Sequence, residues 1–145
     1  MNSALRILTR RDHTVFELLQ KLKLRNFNEE TIHKVLSECS RLNYLDDERT
    51  AQVFLKQLKR KGFGSVRIRH EFRKKGLRGE GFEKIVKDGC SVDDDRVNAK
   101  RVLLKKMISF DREPDGRKRQ EKMYRFLNSR GFPDAVISEL IRRYA

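Results

Sequence analysis

The chain is poor in the residues that small enzymes and secreted scaffolds depend on. It has two cysteines, two prolines, three histidines and no tryptophan in 145 residues. Cys39 and Cys90 form no CxxC pair, which points to a reducing cytoplasmic setting and not to a disulfide framework. Five scattered Cys and His residues supply no HExxH or paired ligand spacing for zinc, so no metal and no cofactor is expected. No GxSxG or GxxxxGK[ST] motif is present. No apolar run approaches the roughly 18 residues of a membrane span. The opening Met1-Asn2-Ser3-Ala4-Leu5-Arg6 lacks an apolar signal-peptide core, so neither membrane association nor secretion is expected. Alternating apolar stretches bounded by hairpin turns are also missing, which excludes a sheet.

What the chain has is positive charge. Lys plus Arg number 35 against 21 Asp plus Glu, a formal net charge of +14. The charge is concentrated: residues 1–50 carry net +1, residues 51–87 net +9 and residues 88–145 net +4. The basic middle interleaves its cations with Val53, Phe54, Leu55, Leu58, Ile68, Phe72 and Leu77, an amphipathic order that a disordered tail lacks. Such a field predicts a polyanionic partner.

The apolar pattern repeats. Leu18, Ile68 and Met123 correspond, as do Leu22, Phe72 and Leu127, then Phe27, Leu77 and Phe132, Ile32, Phe82 and Ile137, and Val35, Ile85 and Leu140. The steps of three and four are helical, and a cation followed by Asn or Gly marks a helix end in each repeat. A further helix precedes each pair: Ala4 to about Arg10, one opened by Asp46-Asp47-Glu48, and one opened by Asp93-Asp94-Asp95 and running to about Ile108. Thr14 and Glu17 have capping-box spacing, Asn28 and Ser65 are expected N-caps, and the acidic triplets are expected to cap their own helices. The loop 111–116 absorbs the longer second interval. The expected fold is all-α: nine helices in three tandem three-helix units, 1–45, 46–92 and 93–145, stacked into an elongated, curved array. Gly62-Phe63-Gly64-Ser65 can be a phosphate loop, but a helix-ending glycine followed by a short turn is the simpler reading. Tyr44, Leu45 and Phe63 are expected to pack between units.

The functional candidates are therefore cations of the middle unit: Lys56, Lys59, Arg60, Lys61, Arg67, Arg69, Arg73, Lys74, Lys75 and Arg78. Like charges at i, i+4 and i, i+7 repel on an isolated helix, which a polyanion relieves.

Two segments carry a family resemblance. Asn43-Tyr44-Leu45-Asp46-Asp47-Glu48-Arg49-Thr50-Ala51 resembles the G-Y-L-D-D-x-R-[FY]-[AV] motif of the RecX family. Lys61-Gly62-Phe63-Gly64-Ser65-Val66-Arg67-Ile68-Arg69-His70-Glu71-Phe72 is similar to its K-G-x-G-x-x-R-I-x-x-E-L. The opening helix and the closing unit, Tyr124 to Phe132, are similar as well. Departures are Asn43 for Gly, Thr50 for an aromatic and Phe72 for Leu. The resemblance implies a cytoplasmic, non-enzymatic regulator of the recombinase RecA. Such a protein binds in the groove of the RecA–single-stranded-DNA filament and lowers its growth, ATPase, strand exchange and coprotease activity, in DNA repair and recombination. On the family motif, Tyr44, Leu45, Asp46, Asp47, Arg49, Gly62 and Gly64 are structural. The alternative is a direct, sequence-nonspecific binder of single- or double-stranded DNA, since short three-helix units resemble helix-turn-helix modules. With no large apolar stripe expected beyond the core, a monomer is expected.

Overall fold

In the structure, a computed structural model that describes residues 1–145, the chain is helical throughout. The elements are α1 (Asn2–Leu8), α2 (Val15–Leu24), α3 (Glu29–Arg41), α4 (Asp47–Arg60), α5 (Ser65–Lys74), α6 (Glu80–Gly89), α7 (Val92–Lys105), α8 (Met107–Asp111), α9 (Gly116–Ser129) and α10 (Asp134–Tyr144). Ten helices stand where the pattern predicted nine. The additional one, α8, follows a break at Lys106, so the third unit's first helix ends short of Ile108. Much of the longer second interval is therefore helix, and the loop shrinks to residues 112–115.

Three separate apolar clusters follow one another along the chain. Leu18, Leu22, Ile32 and Leu36 anchor the first, Ile68, Phe72 and Val86 the second, and Leu103, Met123, Leu127 and Ile137 the third. The repeat register holds for α2, α5 and α9. In the third helix of the first two units the deeper residues are Leu36 and Val86, one position beyond Val35 and Ile85, which are only half-buried. Phe27 is partly exposed, unlike Leu77 and Phe132.

The helix starts obey local chemistry. Thr14 and Glu17 form a reciprocal capping box, and Asn28 and Asp46 cap α3 and α4 by accepting from Thr31 and Arg49 amides. Two expectations are corrected. Gly64, not Ser65, is the N-cap of α5, and Ser65 is the first helical residue. Ser91, boxed with Asp94, caps α7, which frees Asp95 for a different task.

That task is the joint between units. Asp95 Oδ1 accepts from the Ser65 amide at 3.0 Å and Oδ2 from the Ser65 hydroxyl at 2.6 Å. Gly64 and Val66 amides donate to the Arg130 and Gly131 carbonyls at 2.8 and 2.9 Å. The bare N-terminus of α5 thus meets the bare C-terminal turn of α9. Unpaired N–H groups find unpaired C=O groups, and the positive end of one dipole faces the negative end of another. The first joint repeats the plan: the Val15 amide donates to Asp47 Oδ1 at 2.9 Å, and the Thr14 hydroxyl donates to the Lys75 carbonyl at 2.6 Å.

Burial pushes the Asp95 carboxyl upward, against the Ser65 hydrogen bonds that pull it down. A carboxyl raised in the folded state penalises folding once ionised, and that penalty is relieved as pH falls through the folded pKa. The two hydrogen bonds, not the charge, are then what the joint needs. Asp95→Ala, which orphans two buried donors, is expected to cost about 2–3 kcal/mol, and Asp95→Asn, which still accepts from the amide, under about 1 kcal/mol. Urea unfolding at neutral pH measures both; equal losses would show that the charge is the holding force.

Candidate partner-binding surface

The joints decide which of the ten nominated cations are available. Lys59 Nζ donates to the Gly89 carbonyl at 2.6 Å and lies 3.8 Å from Asp94. Arg67 donates to the Ser129 carbonyl at 3.2 Å with its guanidinium 4.1 Å from the centre of the Phe63 ring. Lys75 sits 3.8 Å from Glu17 and 4.1 Å above the Phe54 ring. Burial pulls the Lys75 ammonium down, opposed by Glu17. Burial also pushes Glu17 up, but the hydrogen bond from Arg11, the Thr14 amide and Lys75 together hold it below the usual carboxylate range. These three cations are spent inside the molecule, Arg67 and Lys75 at the joints and Lys59 across the middle unit.

Lys74 faces solvent, 3.7 Å from Glu71. The side chains of Lys56, Arg60, Lys61, Arg69, Arg73 and Arg78 make no ion pair and no hydrogen bond to protein, and all but the half-buried Arg69 are exposed. Arg69 and Arg73, one turn apart on α5, and Arg78, in the following turn, rim one open cleft of about 350 Å3 between α5 and α6, floored by Phe72, Leu77 and Val86. Guanidiniums without partners around a shallow cleft match carboxylate or phosphate groups, which they bind in a bidentate fork.

The motif residues sort differently. Leu45 belongs to the first core, Asp46 caps α4, Asp47 holds the first joint, and Arg49 reaches the Asn43 carbonyl at 3.5 Å. Contrary to expectation, Leu45 packs within the first unit and not between units, and Tyr44 is 47% exposed. Phe63 does sit at the second joint, beneath Arg67 and Arg130. Gly62 and Gly64 form no phosphate loop. The Gly64 amide is occupied by Arg130, a side chain on Gly64 would lie 2.5 Å from the Gly131 carbonyl oxygen, and Gly62 abuts Val102.

No group of three or more His, Cys, Asp or Glu side chains is placed to hold a metal ion. His13, one of the scattered histidines, is buried at the α1–α2 turn, with Nδ1 2.9 Å from the Arg11 carbonyl and Nε2 2.7 Å from Lys21 Nζ. Burial lowers its pKa, in keeping with a neutral ring that donates from Nδ1 and accepts at Nε2. Both cysteines are buried, and burial pushes the Cys90 thiol up to about 11. The thiolate is the reactive form, so neither thiol is expected to react with Ellman's reagent at pH 8 until denaturant is added; prompt labelling of Cys90 in the folded protein would contradict this placement.

Asp95, Arg130 and Gly131 were not singled out for a joint by their spacing. The available signal was a Gly ending α5 and α9 where Asn26 ends α2.

Comparison with known proteins agrees with this architecture. Residues 1–39 match the family description "RecX, first three-helix domain" and residues 93–141 "RecX, third three-helix domain". The regulatory protein RecX of Legionella pneumophila (strain Corby) is 34% identical over 143 residues, covering 97% of this chain and 91% of the relative. That of Haemophilus influenzae (strain PittEE) is 31% identical over 141 residues, with the same coverage. Among solved structures, a regulatory protein RecX superposes with a TM-score of 0.84 at 24% identity, over 98% of this chain and 70% of the other. RecX from Lactobacillus salivarius gives 0.79 at 20% identity, over 99% and 92%. Fold, repeat and near full-length similarity converge, and the chain belongs to the RecX family of regulatory proteins.

Proposed function

We propose that this protein is a negative regulator of the recombinase RecA, acting without catalysis in the cytoplasm by binding as a monomer in the groove of the RecA–single-stranded-DNA filament. There it hinders filament growth and lowers ATP hydrolysis, strand exchange and coprotease activity. The observation that carries the proposal is the set of unpartnered cations on the middle unit, above all Arg69, Arg73 and Arg78 around one cleft. A nucleoprotein filament offers both kinds of anion to that surface, carboxylates and phosphates. Association steered by such a field is fast and slows with salt.

The reading of base edges by a helix-turn-helix is disfavoured. Such a reader puts the first turn of its recognition helix into the major groove. In the middle unit, the one basic enough to approach DNA, the second helix of the pair is α6, and its first turn carries Glu80 and Glu83, which repel the duplex. Nonspecific phosphate contact needs no free helix start and is compatible with the groove. The test is DNA-dependent ATP hydrolysis by RecA, titrated with this protein across a salt series with free DNA as competitor. Inhibition at near-stoichiometric levels is expected. Unchanged turnover together with tight binding to bare DNA would favour the direct DNA binder instead.

A further inference from the structure

The additional helix α8 interrupts the repeat, and on its outer side Ile108 stands exposed beside Ser109 and Asp111. Ile108 is 74% exposed, Val97 on α7 69% and Leu104 44%. The buried residues Ala99, Leu103 and Phe110, with partly buried Met107, step by three and four across the break at Lys106, so α8 continues the core-facing side of α7. At about 100° per residue, Val97, Arg101, Leu104 and Ile108 then fall within roughly 60° of one another, opposite that buried side. Lys100 and Lys105 flank the stripe on either side, Arg101 within it is held by the Lys59 and Arg60 carbonyls and Asn98, and the acidic residues at its ends are Asp93 and Asp94, engaged by Arg96 and Ser91, and Asp111. Three large aliphatic side chains on one exposed, basic-flanked line are unlike singly scattered surface apolar residues.

We infer that the outer face of α7 and α8 is a second docking surface, and that its occupant is an acidic, apolar-studded helix face of a RecA subunit in the filament. This inference rests on the function proposed above and adds a contact made by the third unit. The chemistry selects among occupants. A nucleic-acid backbone complements the lysines but buries no aliphatic side chain. A second copy of this chain would bring like charge against like, at a net +14 per molecule. Three residues on one line are too narrow a strip for stable insertion into a bilayer. An acidic amphipathic helix satisfies both features, its apolar anchors on Val97, Leu104 and Ile108 and its carboxylates on Lys100 and Lys105. With the middle unit engaged on the same filament, the second contact becomes intramolecular, so a modest patch gains a large effect on residence.

The experiment compares the full chain with the variant Val97→Ser/Leu104→Ser/Ile108→Ser for binding to RecA filaments assembled on single-stranded DNA, and to the same DNA bare. A loss of filament affinity of about tenfold or more is expected, with bare-DNA affinity and thermal melting unchanged. Lys100→Glu/Lys105→Glu is expected to weaken filament binding more than the charge-matched Lys23→Glu/Lys34→Glu, and that difference decides the matter should the serine variant melt early; equal effects overturn the docking surface. Unchanged filament affinity in a folded variant overturns the docking surface while leaving the proposed function standing. Failure of the wild-type chain to bind filaments overturns both. A wild-type dimer that the serine variant converts to monomer, or wild-type binding to anionic vesicles that the variant loses, assigns the stripe to another occupant and overturns the inference.

Discussion

Replacing Gly131 by alanine is expected to lower stability by about 3–4 kcal/mol, a large fraction of what a chain of this size holds in reserve. Two costs combine. The residue sits at φ +81, where a Cβ costs roughly 1–2 kcal/mol. The new methyl would also overlap Arg67, lying 2.8 Å from its Cα and nearer still to its backbone nitrogen and Cβ. Backbone cannot yield as a flexible side chain does. Moving α5 away would break the Gly64–Arg130 and Val66–Gly131 hydrogen bonds and pull Ser65 from Asp95. Gly79 supplies the control. It has φ +110 and ψ 170, a region essentially reserved for glycine, but nothing near its absent Cβ, so Gly79→Ala should cost about 1–3 kcal/mol of backbone strain and no overlap. Urea unfolding is expected to show the larger loss for Gly131→Ala; a smaller one would mean that close approach at the joint contributes little. Asn26 closes the comparison. It holds φ 64 at the exposed end of α2, and there an asparagine suffices.

That contrast explains what could be read in the sequence. Helix content, the three cores and the turns followed from periodicity and caps, because each is fixed within a few residues of itself. Ile68 and Phe72 must share a face whatever surrounds them. The joint residues obey no local rule. Asp95 lies within an acidic triplet that reads as ordinary capping, and only the arrival of α5 beside α7 assigns its two oxygens to Ser65. The break at Lys106 is equally hidden, since the helical pattern from Asp93 to about Ile108 runs through it without interruption.

The candidate surface was legible as a charge total and not as an arrangement. Counting cations nominated the middle unit as the candidate surface. It did not separate Arg69 and Arg73, which face an open cleft, from Arg67 and Lys75, which hold neighbouring elements together. An arginine spent on a carbonyl and one offered to a partner differ only in what the rest of the chain brings near them. Distance in sequence hides this: Arg67 meets Ser129, and Lys75 meets Glu17.

The separation yields a sharper test of function. Reversing Arg69, Arg73 and Arg78 to Glu together is expected to raise the concentration needed to half-inhibit RecA ATPase by about tenfold or more, since a charge-assisted hydrogen bond is worth roughly 1.5–3 kcal/mol when fully made. Helical circular dichroism should be preserved and melting should fall only modestly, because none of the three bonds a protein group and only Arg69 lies near a joint carboxylate, Asp95. Reversing Arg10, Lys23 and Lys34, exposed on the nearly neutral first unit, changes the net charge equally and should reduce inhibition far less. Equal effects from the two triples would mean that the protein's total field, and not the cleft, does the binding. Lys75→Glu is expected to fail differently. It sets a carboxylate beside Glu17 and removes the cation from the Phe54 ring, so inhibition and melting temperature fall together. Bare-DNA affinity measured on the same variants across a salt series divides phosphate from carboxylate. A slope in log K against log salt that shrinks by roughly 0.7 for each cation removed marks binding to single-stranded phosphates. A slope that holds while ATPase inhibition disappears places the three arginines on acidic side chains of the recombinase.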